Sequence, residues 1–181
     1  MRSLRGQLLV AGPGLDDPNF RRTVVLVGEH GDDGAMGVVL NRPSTVTVAD
    51  AVPPLAALVD DAALVHVGGP VQPQAVVVLA DYLDTAGVDD LVLETVGFLP
   101  GEVEDASDVG AVRALRVFAG YAGWSPGQLE EELEEGSWLV LPARTDDVFT
   151  DVAERLWSEV LRRQGGALAV LANLPDDPRV N

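Results

Sequence analysis

The segment 119–130 constrains the fold more than any other part of the chain, because several rules for starting a helix agree there. Ser125 is predicted as the N-cap residue, with Pro126 at the first helical position and Gln128 completing a capping box. Trp124, which precedes the cap, is predicted to pack on the next turn as a hydrophobic staple. The segment therefore predicts a well-specified strand-to-helix corner, which needs no catalytic explanation.

Apolar, β-branched runs bounded by turn residues predict a chain rich in strands. The turn 30–34 carries two glycines and predicts a hairpin between its neighbouring strands. The predicted strands are 6–11, 23–29, 35–40, 64–67, 76–79, 91–95, 113–119 and 137–141.

Two or three helices are predicted among and after these strands. A short helix lies within 48–59, and a second helix spans 126–135 and ends at Gly136. The longest is predicted over 148–164, because Val152, Leu156, Val160 and Leu161 form one apolar stripe. Regular βαβ alternation is absent, so we expect a single α+β domain over 1–181 with a mixed sheet, whose end at 174–181 is extended and poorly ordered.

Charge and composition narrow the possible functions. The chain carries 12 arginines and 29 acidic residues, for a formal net charge of −17, which repels nucleic acid and anionic membrane surfaces at long range. Direct DNA binding is therefore disfavoured. The chain has no cysteine and no lysine, which excludes thiolate nucleophiles, zinc–thiolate sites, Schiff bases and a P-loop lysine.

The N-terminal sequence does not resemble a signal peptide. Its apolar run, 8–11, is interrupted at once by Gly12, Pro13 and Gly14, and no other stretch is long enough to span a membrane. We expect a cytoplasmic protein without membrane partners.

Three segments resemble the YqgE/AlgH family of small bacterial proteins: 6–20, 29–43 and 117–130 with Ser137, Trp138 and Leu139 behind it. Gly68, Gly69, Pro70 and Val71 add a weaker match. The resemblance implies a bent, partly bifurcated sheet folded into a pseudo-barrel, with helices packed outside. Some members are labelled transcriptional regulators, and the resemblance brings no established enzyme activity.

The end of the strand 35–40 carries a candidate ligand site, Asn41-Arg42-Pro43. An arginine can hold a carboxylate or phosphate with two hydrogen bonds, and the asparagine amide can assist. In the alternative that we favour, Asn41 caps a turn and Arg42 pairs with a nearby carboxylate.

Further candidates lie in the other matching segments. Asp16 and Asn19 could line the same cleft or, with Asp17, contribute oxygen ligands to Mg²⁺ or Ca²⁺, although ordinary turn chemistry explains them better. Ligand-lining residues could also come from the corner, at Gly120, Tyr121 and Trp124, where packing is the better explanation.

The two histidines are weaker candidates. His30 or His66 could act as a general base, but Glu29 points to the opposite face from His30, and His66 lies in an apolar strand where a structural role is commoner. The acidic run 130–135 is predicted to be a solvated helix face. No catalytic residue, cofactor or metal is assigned.

These observations favour a non-enzymatic binding or regulatory protein that acts through a small-molecule or protein partner. Two alternatives stay open. The first is an anion sensor or small enzyme that uses the Asn41-Arg42 corner. The second is a regulator that binds DNA directly.

Overall fold

A computed structural model of the chain describes residues 2–100 and 103–175. The strands in the described residues are β1 Gln7–Ala11, β2 Val24–Gly31, β3 Gly34–Val39, β4 Pro43–Thr47, β5 Leu64–Val67, β6 Val71–Tyr82, β7 Leu91–Leu93, β8 Val96–Phe98, β9 Val112–Trp124 and β10 Trp138–Pro142. The helices are α1 Val48–Ala51, α2 Gln128–Glu134, α3 Thr145–Val148, α4 Leu156–Gln164 and α5 Gly166–Leu171, with 3-10 turns at Pro53–Leu58, Ala106–Val109 and Ala153–Arg155.

The strands form one large sheet in the order β10-β1-β2-β3-β9-β6-β8-β7, with antiparallel pairing along this path. The long strand β9 divides the sheet, because it pairs with β3 near its end and, further back, in parallel with β5. Strand β4 pairs with β5. The predicted α+β class with a mixed, bifurcated sheet is confirmed, and the sheet is not closed into a barrel.

Both faces of the first three strands are buried, which explains their continuous apolar runs. Alternate residues of β1, such as Leu8 and Val10, pack with helix α4 in one core. Leu9, between them, packs in a second core with Trp124 and Leu129. Because β1 is covered on both sides from Leu8 to Ala11, this stretch is apolar at every position and shows no alternation with polar residues.

The strand-to-helix corner differs from the prediction at the helix start. Strand β9 continues through Trp124, and α2 begins after its N-cap residue, Gly127, which has a positive φ of 80°. The Ser125 hydroxyl caps nothing in the described structure, although its backbone N–H donates to Gln128 Oε1 at 3.0 Å, which is half of the predicted capping box. The predicted Gly136 terminus is confirmed, with φ 76°.

The boundaries of other elements also differ from the predicted ones. The predicted helix 148–164 is interrupted, since α3 ends at Val148 and α4 begins only at Leu156; Val152, assigned to the stripe, is 40% exposed. The predicted strand 91–95 covers only β7 and the turn that leads to β8, and neither β8 nor α5 was predicted. Strands β6 and β9 are much longer than the predicted 76–79 and 113–119 because they pair with each other over most of their length.

None of the described helices is long and apolar enough to cross a membrane. Most of the predicted tail, residues 176–181, lies outside the described residues. The described part of the tail is docked, because the Leu174 carbonyl accepts a hydrogen bond from Arg22.

Candidate functional site

The loop 12–22 is fastened to the end of β3 by Asn41. The Asn41 side chain is buried, accepting from the Val24 amide at 2.9 Å and donating to the Arg22 carbonyl at 2.9 Å. Arg22 has a positive φ of 54°, a conformation that costs a residue other than glycine free energy. Asn41 therefore holds a strained loop end in place, a structural role that differs from the predicted capping of a turn before Pro43.

Arg42 follows Asn41 and is half-buried. Its guanidinium donates to the Arg21 carbonyl at 2.7 Å and lies 3.5 Å from the Pro18 carbonyl. Among the described residues no carboxylate oxygen lies within 4.0 Å of it. The expected pairing of Arg42 with a carboxylate is therefore wrong for this part of the chain.

A groove runs past these residues, between the loop 12–22 and helix α4, and we call it the Arg42 groove. Its central cavity, of about 540 Å³, is lined by Arg21, Arg22 and Arg42 on one side and by residues of the other wall, Glu154, Trp157 and Ser158. The Arg22 guanidinium lies 4.3 Å from the centre of the Trp157 ring, a cation–π contact.

Two of the predicted residues lie on extensions of this groove. Asp16 lines a small adjoining cavity that shares Arg21, Arg22 and Trp157 with the centre. Asn19 lines a cavity on the other side, which shares Pro18 and Arg42. The structure thus places Asp16, Asn19, Asn41 and Arg42 along one surface.

The three corner residues lie in strand β9, away from the centre of the groove. Gly120 lies behind Gly69, where a Cβ atom would come within 2.5 Å of the Gly69 carbonyl oxygen. Tyr121 packs partly against the main core. The Trp124 indole is buried and donates to Glu132 Oε2 at 2.8 Å. Packing and backbone approach account for these residues, and their predicted ligand role stays a prediction.

Two glutamates of α2 are not simply solvated, which corrects the predicted acidic face. Glu132 accepts from Trp124 and also from the Trp138 indole, at 2.7 Å. Glu130 Oε1 lies 2.7 Å from His30 Nε2, and this hydrogen bond lowers the pKa of the Glu130 carboxyl. His30 accepts the Leu4 amide at Nδ1, so it ties the N-terminal segment to α2.

A second cavity, of about 400 Å³, lies where β5 meets β9, and we call it the Arg116 cavity. His66 Nδ1 lies 3.2 Å from the Leu64 carbonyl and Nε2 lies 2.9 Å from Arg116 Nη1. Both contacts are satisfied when neutral His66 donates from Nδ1 and accepts from Arg116 at Nε2. Arg116 Nη2 also donates to the Thr150 carbonyl at 3.0 Å.

The pKa values of two residues in this cavity are lowered. Burial, and then the positive charge of Arg116, lower the pKa of His66 from 6.5 to about 4. Burial also lowers the pKa of Arg116, while Asp151 opposes that shift. Sequence reasoning missed this cavity because His66 and Arg116 lie 50 residues apart, and no local motif links them. Among residues 2–100 and 103–175, no three histidine or carboxylate side chains cluster as metal ligands.

A family model described as AlgH-like matches residues 8–169. The chain belongs to the AlgH-like family. A UPF0301 protein of Streptomyces coelicolor is 46% identical over 185 residues, which cover 99% of this chain and 96% of the relative. A UPF0301 protein of Chlorobaculum tepidum is 42% identical over 182 residues, covering 97% and 95%.

Two solved structures of similar proteins support the fold. The crystal structure of a Corynebacterium diphtheriae protein matches with a TM-score of 0.85 and 32% identity, covering 93% of this chain and 91% of that one. The solution structure of the AlgH protein from Pseudomonas aeruginosa matches with a TM-score of 0.73 and 31% identity, covering 96% and 95%. The family predicted from the sequence of this AlgH-like chain is thereby confirmed.

Proposed function

We propose that this AlgH-like protein acts by binding rather than by catalysis, and that its ligand is a small anion held in the Arg42 groove. The supporting observation is the state of Arg42, whose guanidinium contacts only carbonyl oxygens among the described residues. A guanidinium carries five N–H donors in a planar fork, so donors remain for a carboxylate or phosphate group. Arg21, exposed on the same wall, supplies a second positive charge.

The surroundings restrict the anion to a small one. The net charge of −17 repels a polyanion at long range, whereas a compact ligand inside the groove interacts mainly with the nearest charges. Glu154 on the facing wall adds a local negative charge. A compact anion that lies against the arginine wall, with a hydrogen-bond donor towards Glu154, fits both sides.

The role that we propose is regulatory, through a protein partner rather than through DNA. The loop 12–22 carries the strained Arg22 and borders the groove, so an occupied groove would stabilise one arrangement of a surface loop. A partner that contacts this loop would then distinguish the bound protein from the free one. The net charge makes direct contact with DNA unfavourable by comparison.

A ligand screen with matched variants tests the proposal. Inorganic phosphate, succinate and AMP are titrated separately into the protein by calorimetry and thermal unfolding. A probe at 100 times its dissociation constant stabilises the protein by about 2.7 kcal/mol. We expect at least one probe to bind, and Arg42→Gln to weaken it about tenfold or more, because a charged hydrogen bond is lost.

The control is Arg2→Gln, which removes the same charge from an exposed arginine outside the groove. Equal weakening by Arg42→Gln and Arg2→Gln would reduce the effect to net charge and contradict the site. No binding of any of the three probes would contradict the choice of a small anion. Salt-sensitive retardation of duplex DNA by the wild-type protein would favour the DNA-binding alternative instead.

A further inference from the structure

The Arg116 cavity separates a partly buried positive charge from three exposed negative ones. Arg116 lies with His66 on strands β9 and β5, whereas the carboxylates of Asp60, Asp151 and Glu154 line the same cavity from exposed positions. Among the described residues, no carboxylate oxygen lies within 4.0 Å of the Arg116 guanidinium. The opposite charges therefore face one cavity without forming an ion pair across it.

Arg116 keeps hydrogen-bonding capacity for a ligand. Its two bonds in the described structure, to His66 and to the Thr150 carbonyl, use two of its five donors. His66 contributes no charge at neutral pH, since its ring accepts from Arg116 and is held neutral by burial. The positive charge at this end of the cavity is thus that of a single guanidinium, which suits one carboxylate.

The remaining walls are apolar. Leu64, Leu115 and Val117 line the cavity together with Val48, and the last two are almost fully buried. A volume of about 400 Å³ falls within the range of small-molecule sites. A purely anionic ligand would meet three carboxylates, and a purely cationic one would meet the arginine, so neither satisfies all of the charges.

We infer that the Arg116 cavity binds a zwitterion with an aliphatic body, an α-amino acid or a short peptide. Its carboxylate pairs with Arg116, its ammonium group lies towards Asp60, Asp151 and Glu154, and its hydrocarbon part contacts the apolar walls. This site is separate from the Arg42 groove, although Glu154 lies between them and lines both. It stands whether or not the groove binds an anion.

Leucine and its charge-deleted analogues test the charge pattern. L-leucine and L-leucyl-L-leucine are titrated by calorimetry, beside 3-methylbutylamine, which lacks the carboxylate, and 4-methylpentanoate, which lacks the amine. We expect one zwitterion to bind about tenfold more tightly than either analogue, because each deletion leaves a charged group without its partner. Which zwitterion binds distinguishes a free amino acid from a peptide.

The NMR resonances of the His66 ring provide a second measurement of binding, which is independent of the calorimetric signal. Its Nε2 contacts Arg116, so a ligand carboxylate on that guanidinium shifts the Nε2 resonance in long-range ¹H–¹⁵N spectra. A binding isotherm without a His66 shift would place the ligand elsewhere and overturn the inference.

Variants separate this site from its surroundings. Arg116→Gln is expected to abolish zwitterion binding, and Asp151→Asn, an exposed change that spares the fold, to weaken it about tenfold. Asp61→Asn is the matched control, since Asp61 is exposed nearby but does not line the cavity. Arg42→Gln should leave leucine binding unchanged, which distinguishes failure here from failure of the groove.

Three further results would also overturn the inference. The first is that neither zwitterion binds the wild-type protein at ligand concentrations up to about 10 mM. A dissociation constant above that value is too weak for a specific small-ligand site. The second is that the amine or the carboxylate analogue binds as tightly as the zwitterion. The third is that Asp151→Asn and Asp61→Asn weaken binding equally.

Discussion

Arg163 lies in the last turn of α4 and Arg42 lies between β3 and β4, and the two arginines serve different purposes. Arg163 donates from Nη1 and Nη2 to the buried carboxylate of Asp147, at 2.6 and 2.7 Å, and also to the Pro142 carbonyl. Asp147 accepts the Arg144 amide as well. Arg42 contacts carbonyl oxygens at the border of an open groove. An arginine that is committed to a buried carboxylate serves the fold, whereas one held by carbonyl groups keeps its charge for a ligand.

Arg116 lies between these two cases. It is partly buried like Arg163, but its described partners are a neutral histidine and a carbonyl group, as those of Arg42 are neutral. Burial alone therefore does not identify a structural arginine. The presence of a contacting carboxylate does so more directly, since a buried charge is stable chiefly when an opposite charge neutralises it.

The largest effect should come from breaking the buried ion pair. Asp147→Ala leaves the Arg163 guanidinium without its counter-charge, so we expect the free energy of unfolding to fall by about 3–5 kcal/mol. Urea denaturation measures this loss. Asp146→Ala, an exposed neighbour in the same helix, should stay within about 0.5 kcal/mol. Similar losses for both variants would mean that contact with a buried carboxylate does not distinguish a structural arginine from one that can bind a ligand.

A smaller effect should follow the titration of His66. Its pKa is about 4 in the folded protein against about 6.5 in the unfolded chain, so the unfolded state binds the proton more readily. The contribution is fully present above about pH 6.5 and is lost as the pH falls towards about 4, by up to about 3 kcal/mol.

NMR titration of the His66 ring checks this pKa, and urea denaturation of the wild type and His66→Asn checks the free energy. The variant should lose less stability than the wild type between about pH 7 and about pH 4, because it lacks the titrating group. A pKa of 6.5 for His66, its unshifted value, would mean that water reaches the ring and that the Arg116 charge affects it less than the geometry indicates.

The smallest effect on stability should come from the groove arginine itself. Arg42→Gln removes hydrogen bonds to carbonyl groups at a half-buried position, so we expect a loss within about 1 kcal/mol. Thermal and urea unfolding without ligand measure it. A loss as large as that of Asp147→Ala would group Arg42 with Arg163 and make its role structural.

The strands could be predicted where the local signal was strong. The strand 64–67 matches β5, and 6–11 differs from β1 by one residue, because apolar runs between turn formers have few other stable conformations. The prediction of one continuous helix over 148–164 was wrong, although its apolar residues are spaced as on one face of a helix. The chain between Val148 and Leu156 follows an irregular path instead, where the Thr150 carbonyl accepts from Arg116 of a distant strand.

Part of the candidate site could also be predicted, because there too the local sequence signal was strong. Asn41 and Arg42 could be selected because they end an apolar strand, where polar residues are conspicuous. The wall formed by Arg21 and Arg22 required the loop 12–22 to fold back on β3, and the sequence contained no rule for that. The Arg116 cavity required two strands that are adjacent only in the sheet.

The sequence by itself determined the family, the α+β class and the positions of most strands. These follow from patterns of a few neighbouring residues, since backbone conformation and turn chemistry act over short distances along the chain. Only the tertiary structure decided which charges meet. His30 contacts Glu130 across 100 residues and His66 contacts Arg116 across 50, and such pairs depend on the packing of the whole sheet.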